Sequence, residues 1–180
     1  MCILIMVKFM FYIKCFFVYS IFGYLFETIT SYFRKTNFSS GILYGFWTPI
    51  YGVGVDIILI LSNFVFINFH LEKWREGAIV FLIVTFLLTF LEWVSGTMIE
   101  KIFNITFWNY KKDFQYTIGK YIAVEVSLIW GLLSLLLVYL IHPIISKYIL
   151  LVPNILIYIF IIIFFIDLIL SFIKLKNRKN

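Results

Sequence analysis

The chain has 180 residues, of which 63% are hydrophobic, 22% aromatic and only 13% charged, and its mean hydropathy is +1.04. Globular domains are about half apolar and about a quarter charged, so this composition excludes an ordinary soluble domain. The scarcity of charge and the many aromatic residues also exclude a disordered chain. We therefore expect a protein whose surroundings are mostly lipid.

Apolar runs long enough to cross a bilayer recur five times along the chain. A spanning helix needs about 20 apolar residues, and the runs cover residues 9–32, 49–70, 77–99, 121–142 and 153–173. The sequence therefore predicts an all-α integral membrane protein, a bundle of about five transmembrane helices. It forms one membrane domain over residues 1–180, and a basic tail at 174–180 follows the last helix.

The segment between the first two runs is rich in glycine. Residues 41–54 read GILYGFWTPIYGVG, with four glycines and one proline in apolar surroundings. Such a backbone cannot face lipid unless its polar groups are bonded within the protein. We expect a broken start to the second helix or a re-entrant segment. The structural residues predicted here are Gly41, Gly45, Pro49 and Gly52.

Small residues mark helix faces in the other runs. Gly23 shares a face with Glu27 in the first run, and Gly96 shares one with Glu100 in the third. In the fourth run small residues recur every four positions, which is typical of close helix packing. They are Gly119, Ala123, Ser127 and Gly131. The fifth run has only Asp167 and Ser171 as such a stripe, so we expect it at the lipid-facing edge.

Acidic residues are placed unusually for a membrane protein. Of the nine acidic residues, six lie within or at the ends of the apolar runs: Glu27, Asp56, Glu92, Glu100, Glu125 and Asp167. A charge at mid-membrane costs about 2.5–3.5 kcal/mol on insertion scales, so such groups face the bundle interior or water. Those near helix ends have the alternative of reaching the interface. For Glu27 and Glu92, one to two turns inside their runs, we favour an internal role.

Basic residues predict the orientation of the chain. With five spans, one side carries Arg34, Lys35, Lys101, Lys111, Lys112, Lys120, Lys174, Lys176, Arg178 and Lys179. The other side carries Lys8, Lys73, Arg75 and Lys147. Cytoplasmic loops are enriched in Lys and Arg. We therefore predict an outside N-terminus and a cytoplasmic C-terminus.

The polar features of the runs and loops are predicted to lie on that same cytoplasmic side, which indicates one polar, aromatic-rimmed site open to the cytoplasm. Its candidate substrate- or ion-binding residues are Glu27, Tyr44, Tyr51, Glu92, Glu100, Trp108, Tyr110 and Lys120. The two cysteines and two histidines show no metal-binding spacing, so we expect no metal and no cofactor.

Five motifs in order carry a family resemblance. They are FFVYSIFGYLFE (16–27), GILYGFWTPIYG (41–52), FLEWVSGTMIEKIF (90–103), FWNYKKDFQYTIGK (107–120) and LIWGLL (128–133). Over residues 16–143 the chain resembles the ABC-transporter type IV permease family of small bacterial membrane proteins. The family commonly has Gly-Pro at positions 45–46, Trp-Trp-Asp-Tyr at 107–110 and Gly-Arg at 119–120, and this chain departs from each. Asn109 supplies no acid, and Lys120 cannot form a bidentate arginine contact.

The resemblance implies a multi-pass protein of a bacterial plasma membrane that acts as the permease-like subunit of a transporter. The chain has no G-x-x-x-x-G-K-[ST] loop to hold nucleotide phosphates, so ATP hydrolysis would need a separate subunit. Two alternatives stay open, a membrane-embedded enzyme acting on a lipid or prenyl-type substrate and a non-catalytic accessory or scaffold subunit. The expected partners are the bilayer, an ATPase or other membrane subunit and a second copy of the chain, but not nucleic acid.

Overall fold

The computed structural model describes residues 2–33 and 43–177, with side chains from residue 6 onward. Six α-helices make up most of this part: α1 (Cys2–Phe33), α2 (Pro49–Phe69), α3 (Lys73–Phe103), α4 (Val124–Leu136), α5 (His142–Leu151) and α6 (Asn154–Asn177). Two short antiparallel strands, β1 (Thr117–Ile118) and β2 (Ile122–Ala123), lie between α3 and α4.

Within the described ranges, five helical stretches are long and apolar enough to cross a membrane, which confirms the predicted fold class. The fourth stretch runs from Val124 to Leu151, nine residues beyond the predicted end at 142. In it, α4 and α5 are joined by a π-helical turn, Leu137–Ile141. Pro143 lies just after this turn, and proline removes a helical hydrogen bond and clashes with the preceding turn. A locally widened turn accommodates that change without ending the helix.

The outer faces of these helices are apolar. Phe86 is 70% exposed, Leu132 61% and Ile162 60%, and many other large apolar side chains are equally accessible. A protein surrounded by water rarely exposes so much contiguous apolar surface. The helices therefore present a lipid-facing surface.

The chain divides into two compact units. The first unit comprises Met1–Asp56 and Ile145–Asn180, and the second comprises Ile57–Ile144. One boundary falls inside α2 and the other inside α5, so each of these two helices is divided between the units. This division does not test whether residues 1–180 form a single membrane domain, which stays a prediction.

The core of the first unit is aromatic. Phe17 of α1 packs with Leu43, Trp47 and Ile157 of α6 in one buried cluster. The ring centroids of Phe17 and Phe164 are 5.8 Å apart at an edge-to-face angle of 89°. One face of α6 is thus buried against α1, so the prediction that this helix lies at the lipid-facing edge holds only for its other face.

The core of the second unit is the packing of α3 on α4. The buried face of α3 repeats every three or four residues and consists of Gly77, Val80, Val84, Leu88, Glu92 and Gly96. Ser127, Gly131 and Ser134 are the buried residues of α4. A Cβ added at Gly131 would lie 2.7 Å from the Cε2 atom of Phe81. The small residues of α4 therefore let the two helices approach closely.

The segment between α3 and α4 contains a 3₁₀ turn and the two short strands, and the fourth helix begins later than the predicted start of its run at residue 121. Residues Gly119 to Tyr121 join β1 to β2, and Gly119 has a φ of +69°, which glycine adopts without strain. The helix α4 begins only at Val124. The prediction that Gly119 and Ala123 belong to a helical small-residue repeat is therefore wrong, whereas Ser127 and Gly131 do lie on the buried face of α4.

Candidate functional site

Glu27 and Tyr51 form a hydrogen-bonded pair in the first unit. The Tyr51 hydroxyl donates to the Glu27 carboxylate at 2.5 Å. The tyrosine reaches this position because it packs over Gly23, where an added Cβ would lie 2.6 Å from the Tyr51 Cβ. Gly23 and Glu27 are four residues apart on α1 and so lie on one helix face. The first turn of α2 and the C-terminal half of α1 thus meet through a tyrosine seated on a glycine.

The close approach of α1 and α2 continues along α1 toward its N-terminus, beyond Gly23. A Cβ added at Gly52 would lie 2.5 Å from the Phe16 carbonyl oxygen. Pro49 occupies the first position of α2, where its missing N–H needs no partner. The Thr48 N–H just before it donates to the Ser20 carbonyl at 2.9 Å. The predicted structural residues of this segment therefore serve the junction of α1 with α2.

Asp167 of α6 holds the segment between α1 and α2. Its carboxylate accepts the backbone N–H groups of Tyr44 at 2.9 Å and Gly45 at 2.8 Å. It also accepts the Trp47 indole N–H at 2.8 Å and the Ser171 hydroxyl at 2.9 Å. The side chain is 7% exposed. A buried carboxylate is stabilised by such charge-assisted bonds, and here they fix the conformation of residues 44–47.

Glu92 and Tyr110 form a second glutamate–tyrosine pair, in the second unit. Glu92 lies on the buried face of α3 and is 8% exposed. Its carboxylate accepts a hydrogen bond from the Tyr110 hydroxyl at 2.8 Å. Tyr110 opens a short 3₁₀ turn, Tyr110–Lys112, and its N–H donates to the Lys120 carbonyl at 2.8 Å. The buried glutamate is thereby linked to the connecting segment.

Three donors contact the Glu100 carboxylate near the end of α3. It pairs with the Lys120 ammonium and accepts the Tyr121 hydroxyl at 2.8 Å and, at the long distance of 3.4 Å, the Thr106 hydroxyl. The bond to Glu100 raises the pKa of Lys120 above its ordinary value. Burial, and next the bond to Glu100, raise the pKa of Tyr121. Both groups therefore keep their protons at neutral pH.

The Glu100 site repeats the arrangement at Glu27. Gly96 lies four residues before Glu100, as Gly23 does before Glu27. A Cβ added at Gly96 would lie 2.6 Å from the Cγ atom of Tyr121. In both units a tyrosine thus packs on the glycine of a Gly-x-x-x-Glu stretch and donates its hydroxyl to the glutamate.

Further carboxylate and aromatic contacts hold the segment 104–123. Glu125, in the first turn of α4, accepts the Tyr116 N–H at 3.0 Å. Trp108 packs edge-to-face on Tyr121 with ring centroids 5.5 Å apart. Its indole N–H is buried without a hydrogen-bond partner among the described residues. This indole N–H is thus a polar group that the described structure leaves unsatisfied.

The structure thus places the sequence-predicted residues in separate clusters. Glu27, Tyr44 and Tyr51 belong to the first unit, and Glu92, Glu100, Trp108, Tyr110 and Lys120 to the second. The Tyr44 N–H donates to Asp167, whereas Glu27 accepts the Tyr51 hydroxyl. Gly41 and the basic residues Arg34, Lys35, Arg178 and Lys179 lie outside the described residues. The shared site of Glu27, Glu92 and Glu100 stays a prediction.

Two important residues were not among the sequence-predicted site residues. In the sequence, Asp167 is a polar position of the fifth run, but no local pattern indicates that it bonds to residues 44–47, more than 100 positions earlier. Tyr121 could have been found, because the stretch Gly96 to Glu100 repeats Gly23 to Glu27 and each stretch is followed by an aromatic-rich connection. Among the described residues, no group of three or more His, Cys, Asp or Glu could hold a metal ion.

Similarity to known proteins identifies the family of this chain. The model of the family described as "Putative ABC-transporter type IV" matches residues 14–173. The chain belongs to this family. The matched range runs beyond the residues 16–143 that carry the motifs and includes Asp167, Ser171 and most of α6. No curated protein and no solved structure matches the chain. Family membership and five apolar helices together make this a transporter-like membrane protein.

Proposed function

We propose that the chain is the permease-like subunit of a membrane transport system, with a polar site that opens to the cytoplasm. ATP hydrolysis, where the system uses it, is carried out by a separate subunit. Membership of the ABC-transporter type IV family supports the transport class. The basic connecting segments support the orientation, with the C-terminus in the cytoplasm of a bacterial cell.

The observation that carries the proposal is the pair of carboxylates bonded to tyrosines, Glu27 with Tyr51 and Glu92 with Tyr110. A carboxylate inside a membrane-spanning helix is costly, and such residues mark substrate, ion or proton pathways. Each tyrosine lies on or next to the segment that connects two long helices. A change in the protonation of either glutamate therefore alters the bond that holds its connecting segment, which is what coupling of proton binding to a conformational change requires.

The segment 104–123 is the proposed contact surface for the ATPase subunit. It combines the 3₁₀ turn and the β1–β2 hairpin, and the turn exposes Lys111 and Lys112. It is anchored to α3 through Glu92 and Glu100. A force applied to this segment is therefore transmitted directly to the two carboxylates of α3.

Transport can be tested without knowing the substrate. The chain is purified from native membranes after mild cross-linking, and an associated chain with a phosphate-binding loop is identified by mass spectrometry. The complex is reconstituted in liposomes loaded with a cell metabolite extract. We expect ATP to drive loss of a defined metabolite. Recovery of the chain without an ATPase, with no transfer in the liposomes, would overturn the proposal.

The carboxylates are tested in the same liposomes. Glu27→Gln and Glu92→Gln keep the shape of the side chain but remove its charge, and each is expected to reduce transfer at least tenfold without reducing membrane insertion. Glu72→Gln is the matched control, because Glu72 is 66% exposed and its carboxylate contacts the neighbouring residues Trp74 and Arg75. Unchanged transfer by both variants would show that these glutamates are structural.

A further inference from the structure

An apolar groove lies within the first unit along α6. Its volume is about 900 Å³. It is lined by Ile21 of α1, by residues 44–47 and by one face of α6 from Phe160 to Lys174. Fourteen residues of helix rise about 21 Å. One leaflet of the hydrocarbon core is about 15 Å thick, half of the 30 Å of a typical bilayer. The groove is therefore long enough for one lipid acyl chain together with the region of its headgroup.

The walls of the groove offer an occupant little hydrogen bonding. Asp167 lines it, but both of its oxygens accept bonds from within the protein. The donors that those bonds use, the Tyr44 and Gly45 N–H groups and the Trp47 indole, are consumed in the same way. What remains is the surface of Phe46, Ile163 and Leu170. Such a lining favours a hydrocarbon chain over a polar solute.

Lys174 supplies a positive charge at the end of the groove nearest the C-terminus of α6. Its ammonium lies 4.2 Å from the centroid of the Tyr44 ring, a cation–π contact that positions the charge. No carboxylate of the described residues forms an ion pair with it. Lys174 follows Asp167 by seven residues, which places it about 10 Å further along the helix. It therefore lies near the end of a spanning helix, where lipid phosphates are found.

We propose that this groove binds one anionic phospholipid, with an acyl chain along α6 and the phosphate on Lys174. The length and apolar lining of the groove select the acyl chain, and the positive charge of Lys174 at its end selects an anionic headgroup. This lipid holds together α1, the segment 44–47 and α6, the three elements that line the groove. The proposal is independent of transport.

Native mass spectrometry tests lipid binding directly. The purified chain is delipidated and then given equal amounts of phosphatidylglycerol and phosphatidylcholine with the same acyl chains. We expect one phosphatidylglycerol to be retained in preference to phosphatidylcholine. Lys174→Gln should weaken the binding of phosphatidylglycerol about fivefold, the effect of about 1 kcal/mol per basic residue near an anionic surface. Lys176→Gln is the matched control, because Lys176 is exposed on the same helix end but does not line the groove.

Two further arms separate the proposal from simple charge attraction. Leu170→Trp fills the groove and is expected to reduce retention of both lipids, with the helix content unchanged by circular dichroism. Inorganic phosphate in excess is expected not to displace the lipid. Equal loss in the Lys174→Gln and Lys176→Gln variants would overturn the proposal, and so would full retention by Leu170→Trp or displacement by phosphate.

Discussion

The two units hold the connections between their long helices by the same steric device but with different charges around it. In the first unit Tyr51 packs on Gly23 and bonds to Glu27, and in the second Tyr121 packs on Gly96 and bonds to Glu100. Glu100 also pairs with Lys120, whereas Glu27 forms no ion pair with any described residue. The same geometry therefore surrounds two carboxylates with different charges. Glu100 accepts a tyrosine hydroxyl and is neutralised by a cation, whereas Glu27 accepts a neutral tyrosine hydroxyl.

The units also anchor their connecting segments with carboxylates from different places. Residues 44–47 depend on Asp167, which comes from α6 near the end of the chain. The segment 104–123 depends on Glu92, Glu100 and Glu125, which all belong to the helices that it joins. The second connection is thus a local structure, whereas the first is completed only when α6 packs on α1. Substitution of these carboxylates should distinguish an anchor that comes from a distant helix from anchors on the adjoining helices.

The largest effect is expected for Asp167→Ala. The change leaves four donors of the first unit without their acceptor, the Tyr44 and Gly45 N–H groups, the Trp47 indole and the Ser171 hydroxyl. Each orphaned buried donor costs about 1–3 kcal/mol, so we expect a loss of at least about 4 kcal/mol. The unfolding free energy in micelles measures it. Glu125→Ala, which removes the exposed bond to the Tyr116 N–H, should have a clearly smaller effect. Equal losses would contradict the difference between the two anchors.

The next largest loss of stability is expected at the glycines on which the tyrosines pack. Gly23→Ala and Gly96→Ala each place a Cβ against a tyrosine, and overpacking of this kind costs about 1–3 kcal/mol. Gly77→Ala in α3 is the control, because its Cβ would meet nothing nearer than 3.6 Å, at the Tyr139 hydroxyl. Since alanine favours a helix over glycine by up to about 1 kcal/mol, that variant should be neutral or more stable. Thermal unfolding that fails to rank the three in this way would refute the shared device.

Removing the tyrosine hydroxyls should distinguish the two carboxylates. Tyr51→Phe takes away a bond to a charged group and is expected to cost about 1–3 kcal/mol. Tyr121→Phe should cost less, because Glu100 keeps Lys120. Denaturant titration of both variants in the same micelles gives the comparison. A greater loss for Tyr121→Phe would show that Lys120 does not compensate.

The smallest effect is expected at the exposed ion pair. The bond to Glu100 raises the folded pKa of Lys120 above its unfolded value, and the bond to Lys120 lowers that of Glu100, so the pair stabilises the protein fully between about pH 5 and pH 10. The contribution is lost as pH rises through the folded pKa. Lys120→Gln should therefore lower the melting temperature slightly at neutral pH and low salt, and the difference from wild type should shrink as the pH rises through the raised pKa of Lys120 and disappear in about 1 M salt. Lys112→Gln is the exposed control. A deficit that persists under both conditions would argue against an ion-pair effect.

Much of the fold and part of the candidate site could be predicted from the sequence. Length and hydropathy determined five apolar helices, because a spanning helix must satisfy its backbone within about 20 residues. The same cost of charge in lipid marked Glu27 and Glu92 as internal, and each carboxylate accepts a tyrosine hydroxyl. The pairing partners, however, depend on which helices pack together, and helical periodicity shows a face without showing what covers it.

What the sequence determined by itself was therefore the class of protein, its helices and the glutamates that need partners, since these depend on local composition. Only the tertiary structure decided that Asp167 closes the first connection, that Gly119 turns a hairpin before α4, and that one tyrosine–glycine–glutamate arrangement occurs twice. The hairpin is a local structure, but the bonds that decide the other two features join residues about 20 to more than 100 positions apart. Such contacts form only when whole helices pack, so no local pattern specifies them.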